Sequence, residues 1–339
     1  MHLLRVFIFC FAGLVFLSLK KTLTISFIRV DLAGAAQGTT WHITYYGKDT
    51  VVRKRQIDSL LAVIDSSLSI YKPYSRIVAF NNSTTGITID DHFRRVVEKS
   101  LETYQQTNGL FDITILPIVE AWGFGAKSID TLPDSTTILS LLTCVGSQYL
   151  NLDGYRLTKL KPCVKIDVNG IAQGYSVDEI AGFLEKNGIV NYIVELGGEL
   201  RVHGKKQPGN EPFKIGIEAS SDNDFVSHPI EKILLIDSGA ITTSGNYRRY
   251  YESKDKKISH IMDPRTGYSI KNEMISVTVY AKDAITADAY DNALMAMGLN
   301  KAMKFVEKRQ DMAAYFIYRL SNGNTADTAS SRFYNLIQH

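Results

Sequence analysis

The stretch that most restricts this chain is Val164-Lys165-Ile166-Asp167-Val168-Asn169-Gly170-Ile171-Ala172-Gln173-Gly174-Tyr175-Ser176-Val177-Asp178. Val164 to Val168 reads as a buried strand, Asn169-Gly170 as a turn, and Ala172 to Lys186 as a helix closed by Asn187-Gly188. Asn191 to Leu196 reads as the next strand, and strand, helix, strand with short connections is the pattern of a βαβ-type unit. The turn also has a chemistry. A helix that starts directly after Asn-Gly presents backbone N–H groups and a positive dipole end, which suits phosphate. An ordinary tight turn accounts for the same residues equally well.

A chain of 339 residues is too long for one growing core, so it predicts two subdomains or one large unit with a cleft between lobes. Hydrophobic residues at 45% and charged residues at 22% exclude a disordered, collagenous, coiled-coil or multi-spanning membrane chain. The net charge of +3 is evenly spread and leaves no basic footprint for nucleic acid. Helices are predicted over Val51–Leu68, Asp91–Thr107, Ala284–Met297 and Asn300–Arg309, and strands over Thr39–Tyr46, Phe213–Glu218, Lys232–Leu235, Ser259–Met262 and Ser276–Tyr280. Residues 128–162 mix short helix and strand signals with turns such as Asp153-Gly154. No internal repeat or low-complexity linker divides the chain.

Residues 3–19, LLRVFIFCFAGLVFLSL, are apolar except for Arg5 and Ser18 and are followed by Lys20 and Lys21. Their length lies between a secretory hydrophobic region and a short membrane span, so residues 1–29 are read as a signal sequence or an N-terminal anchor and residues 30–339 as one domain. The segment Ala33-Gly34-Ala35-Ala36-Gln37 is a late cleavage candidate. Cys10 has no small residues just before it, which argues against a lipoprotein cysteine. Cys144 and Cys163 form a disulfide in an oxidising compartment or stay as buried thiols.

Common catalytic motifs are absent. The seven His residues include no HExxH pair, and no CxxC, GxSxG or strand-borne GxGxxG occurs. GELRVHGK, from Gly198 to Lys205, is one residue too long for a phosphate-binding loop and lacks the Ser or Thr after its Lys. Several segments survive beside the Gly170 turn. Gly197-Gly198-Glu199 allows close approach to a flat ligand or is a simple turn. Ile241 to Tyr247 gathers hydroxyls with Gly, as a ligand-binding loop or an ordinary one would. His260 to Gly267 places an imidazole, a carboxylate and a guanidinium (His260, Asp263 and Arg265) within eight residues. Asp283 suits a helix N-cap, whereas Asp288 lies too deep in its helix for that. Asn292, four residues on, shares its face, and both offer the hard oxygens that Mg²⁺ prefers.

Taken together and in this order, these segments resemble the ApbE family, the FAD:protein FMN transferases. Asp167 to Asp178 is similar to the family's Asp-x-Gly-Gly-Ile-Ala-Lys-Gly followed by Tyr-x-x-Asp. Gly197–Glu199, Thr243–Tyr247, His260–Gly267 and Ala287–Asn292 resemble its later blocks. Upstream, Leu68 to Asn81, Gly109 to Thr114 and Trp122-Gly123 match its Met-Ser-x-Tyr-x-Pro-x-Ser-x-Ile, Gly-x-Phe-Asp-x-Thr and Trp-Gly segments. The likeness runs from about Gly38 to Gly298.

The resemblance implies an α+β fold of mixed sheets and flanking helices in two packed lobes, with FAD in the cleft. It implies a periplasmic enzyme of the bacterial envelope, touching the membrane only through its N-terminal segment, that uses Mg²⁺ to transfer FMN from FAD to a Thr or Ser of an acceptor protein. The typical acceptor is a subunit of a membrane electron-transport complex. By position, Asp288, Asn292 and the Gly170 carbonyl would hold Mg²⁺, and Ser69, Tyr71, Asp112, Gln173, Ser244 and His260 would line the FAD site. Arg265 would steady phosphoryl charge, and His260 would accept the proton of the acceptor hydroxyl. Gln173 stands where the family carries Lys, and Asn292 where Thr is usual. These departures keep two further readings open: an FAD pyrophosphatase and a non-catalytic FAD-binding envelope protein.

Overall fold

The computed structural model describes residues 27–125, 129, 131–218, 230–246, 250–253 and 256–338. The apolar segment 3–19 and Tyr247 lie outside them. Among the described residues no helix is long and apolar enough to cross a membrane.

The first hairpin joins β1 (Ile28–Ala36) to β2 (Thr39–Gly47) across Gln37-Gly38, both at positive φ (52° and 75°). Next come α1 (Lys54–Leu68), α2 (Arg76–Asn82), β3 (Gly86–Thr88) and α3 (Asp91–Gln106). Ile57, Leu61, Ile64 and Leu68 recur at helical spacing on α1, and all four are buried. Asp90 caps α3 by accepting from the Phe93 amide at 3.0 Å, and α3 gives way to Asn108 and Gly109, both left-handed. The middle of the chain forms α4 (Leu116–Ala121), α5 (Ser135–Leu142), the hairpin β4 (Leu150–Asp153) and β5 (Arg156–Lys159), and then α6 (Ala172–Lys186).

After α6 follow β6 (Tyr192–Leu196), β7 (Glu199–His203), β8 (Phe213–Glu218), β9 (Ile230–Ile236) and β10 (Ser238–Gly245). Short strands β11 (Tyr250–Ser253), β12 (Lys256–Ser259), β13 (Met262–Asp263) and β14 (Tyr268–Ser269) lead to β15 (Met274–Ala281). The chain closes with α7 (Ala284–Met297), α8 (Leu299–Glu307), β16 (Met312–Arg319), β17 (Thr325–Ala329) and α9 (Ser331–Tyr334).

The main sheet has eight strands in the order β1-β2-β6-β7-β10-β15-β16-β17. One face is covered by α6, α7 and α8, and the other by the β8–β9 hairpin and α9. The helices α1 to α3 and the small β3-β5-β4 sheet share the core of the first face through Trp41, Ile57, Val96 and Leu184. The α+β class holds. Every ladder between named strands is antiparallel, and the isolated bridge between Ile115 and Lys165 is parallel.

That antiparallel sheet corrects the βαβ reading. Val164–Val168 is extended and buried but is not a sheet strand. Its backbone is satisfied by side chains. The Asn81 amide donates to the Ile166 carbonyl at 2.9 Å and accepts from the Ile166 amide at 2.8 Å, as a neighbouring strand would. Lys159 donates to the Val164 carbonyl at 2.7 Å. Two smaller corrections follow. The strand expected over Ser259–Met262 breaks at His260-Ile261, and Ile241–Gly245 belongs to β10 and not to a loop. Cys144 and Cys163 are joined in a disulfide.

Candidate functional site

The site is built on the crossing of α6 and α7. A Cβ on Gly174 would lie 2.3 Å from the Ala284 carbonyl oxygen and 2.7 Å from Asp288 Cβ, so only glycine lets the two helices touch there. Each helix then caps the other. Asp288, in the second turn of α7, accepts from the Gly174 amide of α6 at 2.8 Å. Asp178 of α6 accepts from the Ala284 and Ile285 amides of α7 at 2.9 and 2.8 Å, and from Arg201 at 2.6 Å. Both carboxylates thus meet the positive end of a helix dipole. Asp283 caps α7 as expected, accepting from the Thr286 amide at 3.0 Å. Burial pushes Asp288 up to about 7, opposed by the Gly174 amide and reinforced by the negative Asp178.

The turn before α6 is held by Asp167, whose Oδ1 accepts from the Asn169 amide at 2.8 Å. Burial raises Asp167 to about 6. Two first-turn amides of α6 already have partners, Ala172 with the Val168 carbonyl and Gly174 with Asp288, which narrows the bare phosphate cradle expected there. Gly170 faces α7: the Asn292 Nδ2 lies 3.5 Å from its carbonyl oxygen and 3.4 Å from the Asp288 carbonyl. Ser244, buried on β10, donates to Asn292 Oδ1 at 3.0 Å. The structure therefore brings together Gly170, Asp288, Asn292 and Ser244 from three distant parts of the chain.

This donor set fits a hard cation. One carboxylate, one carbonyl and one carboxamide are oxygen ligands of the kind Mg²⁺ takes, with water and substrate completing the shell. Turning the Asn292 carboxamide by half a revolution aims its oxygen at the Gly170 carbonyl, and the Ser244 hydroxyl can serve either amide atom. Among the described residues no three His, Cys, Asp or Glu side chains converge on one point, so the site depends on such neutral oxygens.

The other expected residues divide. Ser69 and Tyr71 sit in the loop after α1, where Ser69 Oγ accepts from the Tyr71 amide at 3.3 Å and the Tyr71 hydroxyl lies 3.4 Å from Asn169 Nδ2. Gln173 packs its amide against Gly197 of the β6–β7 turn, where both glycines have positive φ. His260 stands between β12 and β13 with its ring 6.3 Å from Phe124. Asp112 is a structural hub: its carboxylate accepts from the amides and hydroxyls of both Thr114 and Ser147 at 2.7 to 3.0 Å. Arg265 is exposed and engaged with Asp263 through two bonds of 3.0 and 2.7 Å.

Several residues escaped the sequence reading. Gly174 and Asp178 build the helix junction, and Asn81 anchors the strand-like segment that enters it. An open groove of about 890 Å³ between the β1–β2 turn and α1 is lined by residues including Gln37, Thr39, Lys54, Asp65 and Lys72. Gln37 donates to Ser176 of α6 at 2.8 Å, and Lys72 neighbours Tyr71, so the groove adjoins the Asn169-Gly170 turn. The sequence signal was Gly38 after Gln37, a turn glycine just before a strand-like run.

The fold, an eight-stranded antiparallel sheet with α6 and α7 crossing at Gly174, is that of the flavin transferases. The chain belongs to the ApbE family, whose model matches residues 37–316. It is 32% identical over 315 residues to the FAD:protein FMN transferase of Haemophilus influenzae, covering 89% of this chain and 90% of that one. With the FAD:protein FMN transferase of Vibrio cholerae it shares 34% identity over 289 residues, 83% of this chain and 85% of the relative. The solved structure of the flavin transferase ApbE from Vibrio cholerae superposes with a TM-score of 0.82 at 32% identity, covering 92% of this chain and all of that one.

Proposed function

We propose that this protein transfers FMN from FAD to a Thr or Ser hydroxyl of an acceptor protein, with Mg²⁺ bound, and releases AMP. The family membership supports FMN transfer. The observation that supports the metal-dependent chemistry is that Asn292 reaches both the Gly170 carbonyl and the Asp288 carbonyl, while the Asp288 carboxylate is fixed on α6. In the step, the acceptor oxygen attacks the phosphorus of the FMN half, the bond from that phosphorus to the bridging oxygen breaks, and AMP leaves with that oxygen. The hydroxyl proton goes to His260. Bound Mg²⁺ supplies a Lewis acid for the pyrophosphate oxygens. The chain's own residues prepare for it: the Gly174 amide fixes Asp288, Ser244 orients Asn292, and the Asp167 turn presents Gly170. The groove, with Lys54 and Lys72, would take the elongated substrate.

We place the protein on the periplasmic side of the envelope. The apolar segment 3–19 and the Cys144–Cys163 disulfide support that placement. An acceptor in a membrane electron-transport complex would be within reach of a protein so placed.

The test is the intact mass of an acceptor domain after incubation with FAD, Mg²⁺ and the protein, beside Asp288→Ala. A gain of one FMN less water is expected, with the rate falling by a factor on the order of 10² or more in the variant. An unmodified acceptor with AMP and free FMN in solution would establish a pyrophosphatase instead, and bound intact FAD without turnover would establish a carrier.

A further inference from the structure

The end of the main sheet where the chain enters the fold carries a separate observation. Ile28 opens β1 opposite Gly47 at the close of β2. The Tyr45 hydroxyl donates to the Val52 carbonyl at 3.1 Å, and the Tyr46 amide donates to the Asn191 carbonyl at 2.9 Å. The Val190 carbonyl accepts from His203 Nδ1 at 2.8 Å, so the connections after β2, α6 and β7 meet at this end. Three large aliphatic side chains stand out from it: Ile28 is 40% exposed, Val51 45% and Val190 54%. Lone exposed aliphatics are ordinary on a protein surface, but three in adjoining segments of one sheet end form a patch.

Cations rim the patch. Lys48, Arg53 and Lys186 are exposed, and Lys205 is half-buried, with its amide donating to Asn191 Oδ1 at 2.9 Å. The acids at this end are Asp49, Asp237 and Glu185, and Glu185 is engaged by the Tyr192 hydroxyl at 2.6 Å. Aliphatic side chains among lysine and arginine suit an anionic lipid surface, where the aliphatics enter the headgroup boundary and the cations meet the phosphates. The length of the tether selects that occupant. Leu19 ends the apolar segment and Phe27 precedes β1, and eight residues reach at most about 28 Å. A retained anchor holds this end of the sheet beside the bilayer.

We propose that the folded domain docks on an anionic lipid bilayer through Ile28, Val51 and Val190, with Lys48, Lys186 and Lys205 at the headgroups. The proposal rests on reading residues 1–29 as a retained anchor. Docking also sets the height of the candidate site. Ser238 pairs with His203 at the docked end, and Ser244, the partner of Asn292, lies six residues further along β10, about 20 Å above the bilayer. An acceptor hydroxyl carried close to a membrane surface is met at that height.

The test uses the full-length protein with Cys10→Ser in nanodiscs. A nitroxide is attached at Val51→Cys, at Val190→Cys or, at the far end of the sheet, at Leu320→Cys, and the ratio of oxygen to nickel-chelate accessibility is read. In phosphatidylglycerol the ratio at Val51 and Val190 is expected to exceed that at Leu320 by about threefold, and Lys48→Glu with Lys186→Glu is expected to bring it down to the Leu320 value. Equal ratios at all three positions overturn the proposal, and so does a raised ratio that the double Glu variant leaves unchanged. Labels at Val51 and Val190 that are immobilised and shielded from both reagents in detergent put a second copy of this chain on the patch and overturn it too. A protein that does not enter nanodiscs refutes the anchor, and the docking with it, whereas one that enters and shows equal ratios refutes the docking alone.

Discussion

Gly174→Ala puts the helix junction to a quantitative test. The added methyl would lie 2.3 Å from a backbone oxygen and 2.7 Å from Asp288 Cβ, where ordinary contact needs more than 3.4 Å. Neither neighbour is the end of a flexible side chain, so α6 and α7 must separate by about 1 Å. Overpacking of this kind costs about 1–3 kcal/mol. Separation also stretches the Gly174 amide bond to Asp288, and a hydrogen bond to a charged group contributes about 1.5–3 kcal/mol. Against this, Ala gains about 1 kcal/mol of helix propensity. The net expectation is a loss of roughly 3 kcal/mol, read as a lower urea midpoint at unchanged slope, with FMN transfer reduced because Asp288 has moved. The control is on the same helix. Gly182 has nothing within 4 Å of its added Cβ, so Gly182→Ala should stabilise by up to about 1 kcal/mol. If Gly174→Ala also stabilises, or stays within about 0.5 kcal/mol of wild type, the close crossing is not what holds the junction.

Removing Asp178 leaves Arg201, 22% exposed, with only the longer 3.8 Å pair to Glu185, and strips the outer cap from α7. Asp178→Ala should therefore cost about 3–5 kcal/mol in chemical denaturation, and a loss under 1 kcal/mol would deny the reciprocal capping. The Cys144–Cys163 bridge spans 19 residues, so the double Ser variant should lose about 3 kcal/mol, and reduction should lower the melting temperature of the wild type alone. Asp167 ionises near 6 when folded and near 3.8 when unfolded, so the folded state binds its proton more tightly. That contribution is fully present below about pH 4 and is lost as pH rises through 6, a fall of about 3 kcal/mol. Asp167→Asn should flatten the curve over this window, and parallel curves for the two proteins would count against burial raising this carboxyl.

What the sequence disclosed depended on how local the governing interactions are. α7 was legible to the residue, because Asp283 caps it and its run of Ala, Leu and Met favours helix. Val164–Val168 was not, because its strand-like hydrogen bonds come from Asn81, 85 residues away in sequence, and a side-chain amide imitating a strand leaves no periodic mark. Ser244 looked like loop chemistry since Thr-Thr-Ser-Gly fits a turn, whereas pairing with β15 makes it a strand residue. Asp112 and Arg265 carry the right functional groups, yet nearby partners take them: Thr114 and Ser147 for the one, Asp263 for the other.

The two aspartates that exchange helix caps show why the site is coupled to the fold. Asp288 has a stabilising role toward α6 before any ligand arrives, and that role holds its carboxylate on the first-turn amide of Gly174. A cation drawing Asp288 toward Gly170 would meet a side chain already fixed by a backbone amide and a helix dipole, so little rotamer entropy remains to be lost on binding. The same burial that raises Asp288 to about 7 makes its anion poorly solvated, which strengthens its attraction to a cation. At this carboxylate the folded chain thus tolerates a charge that burial would rather see protonated.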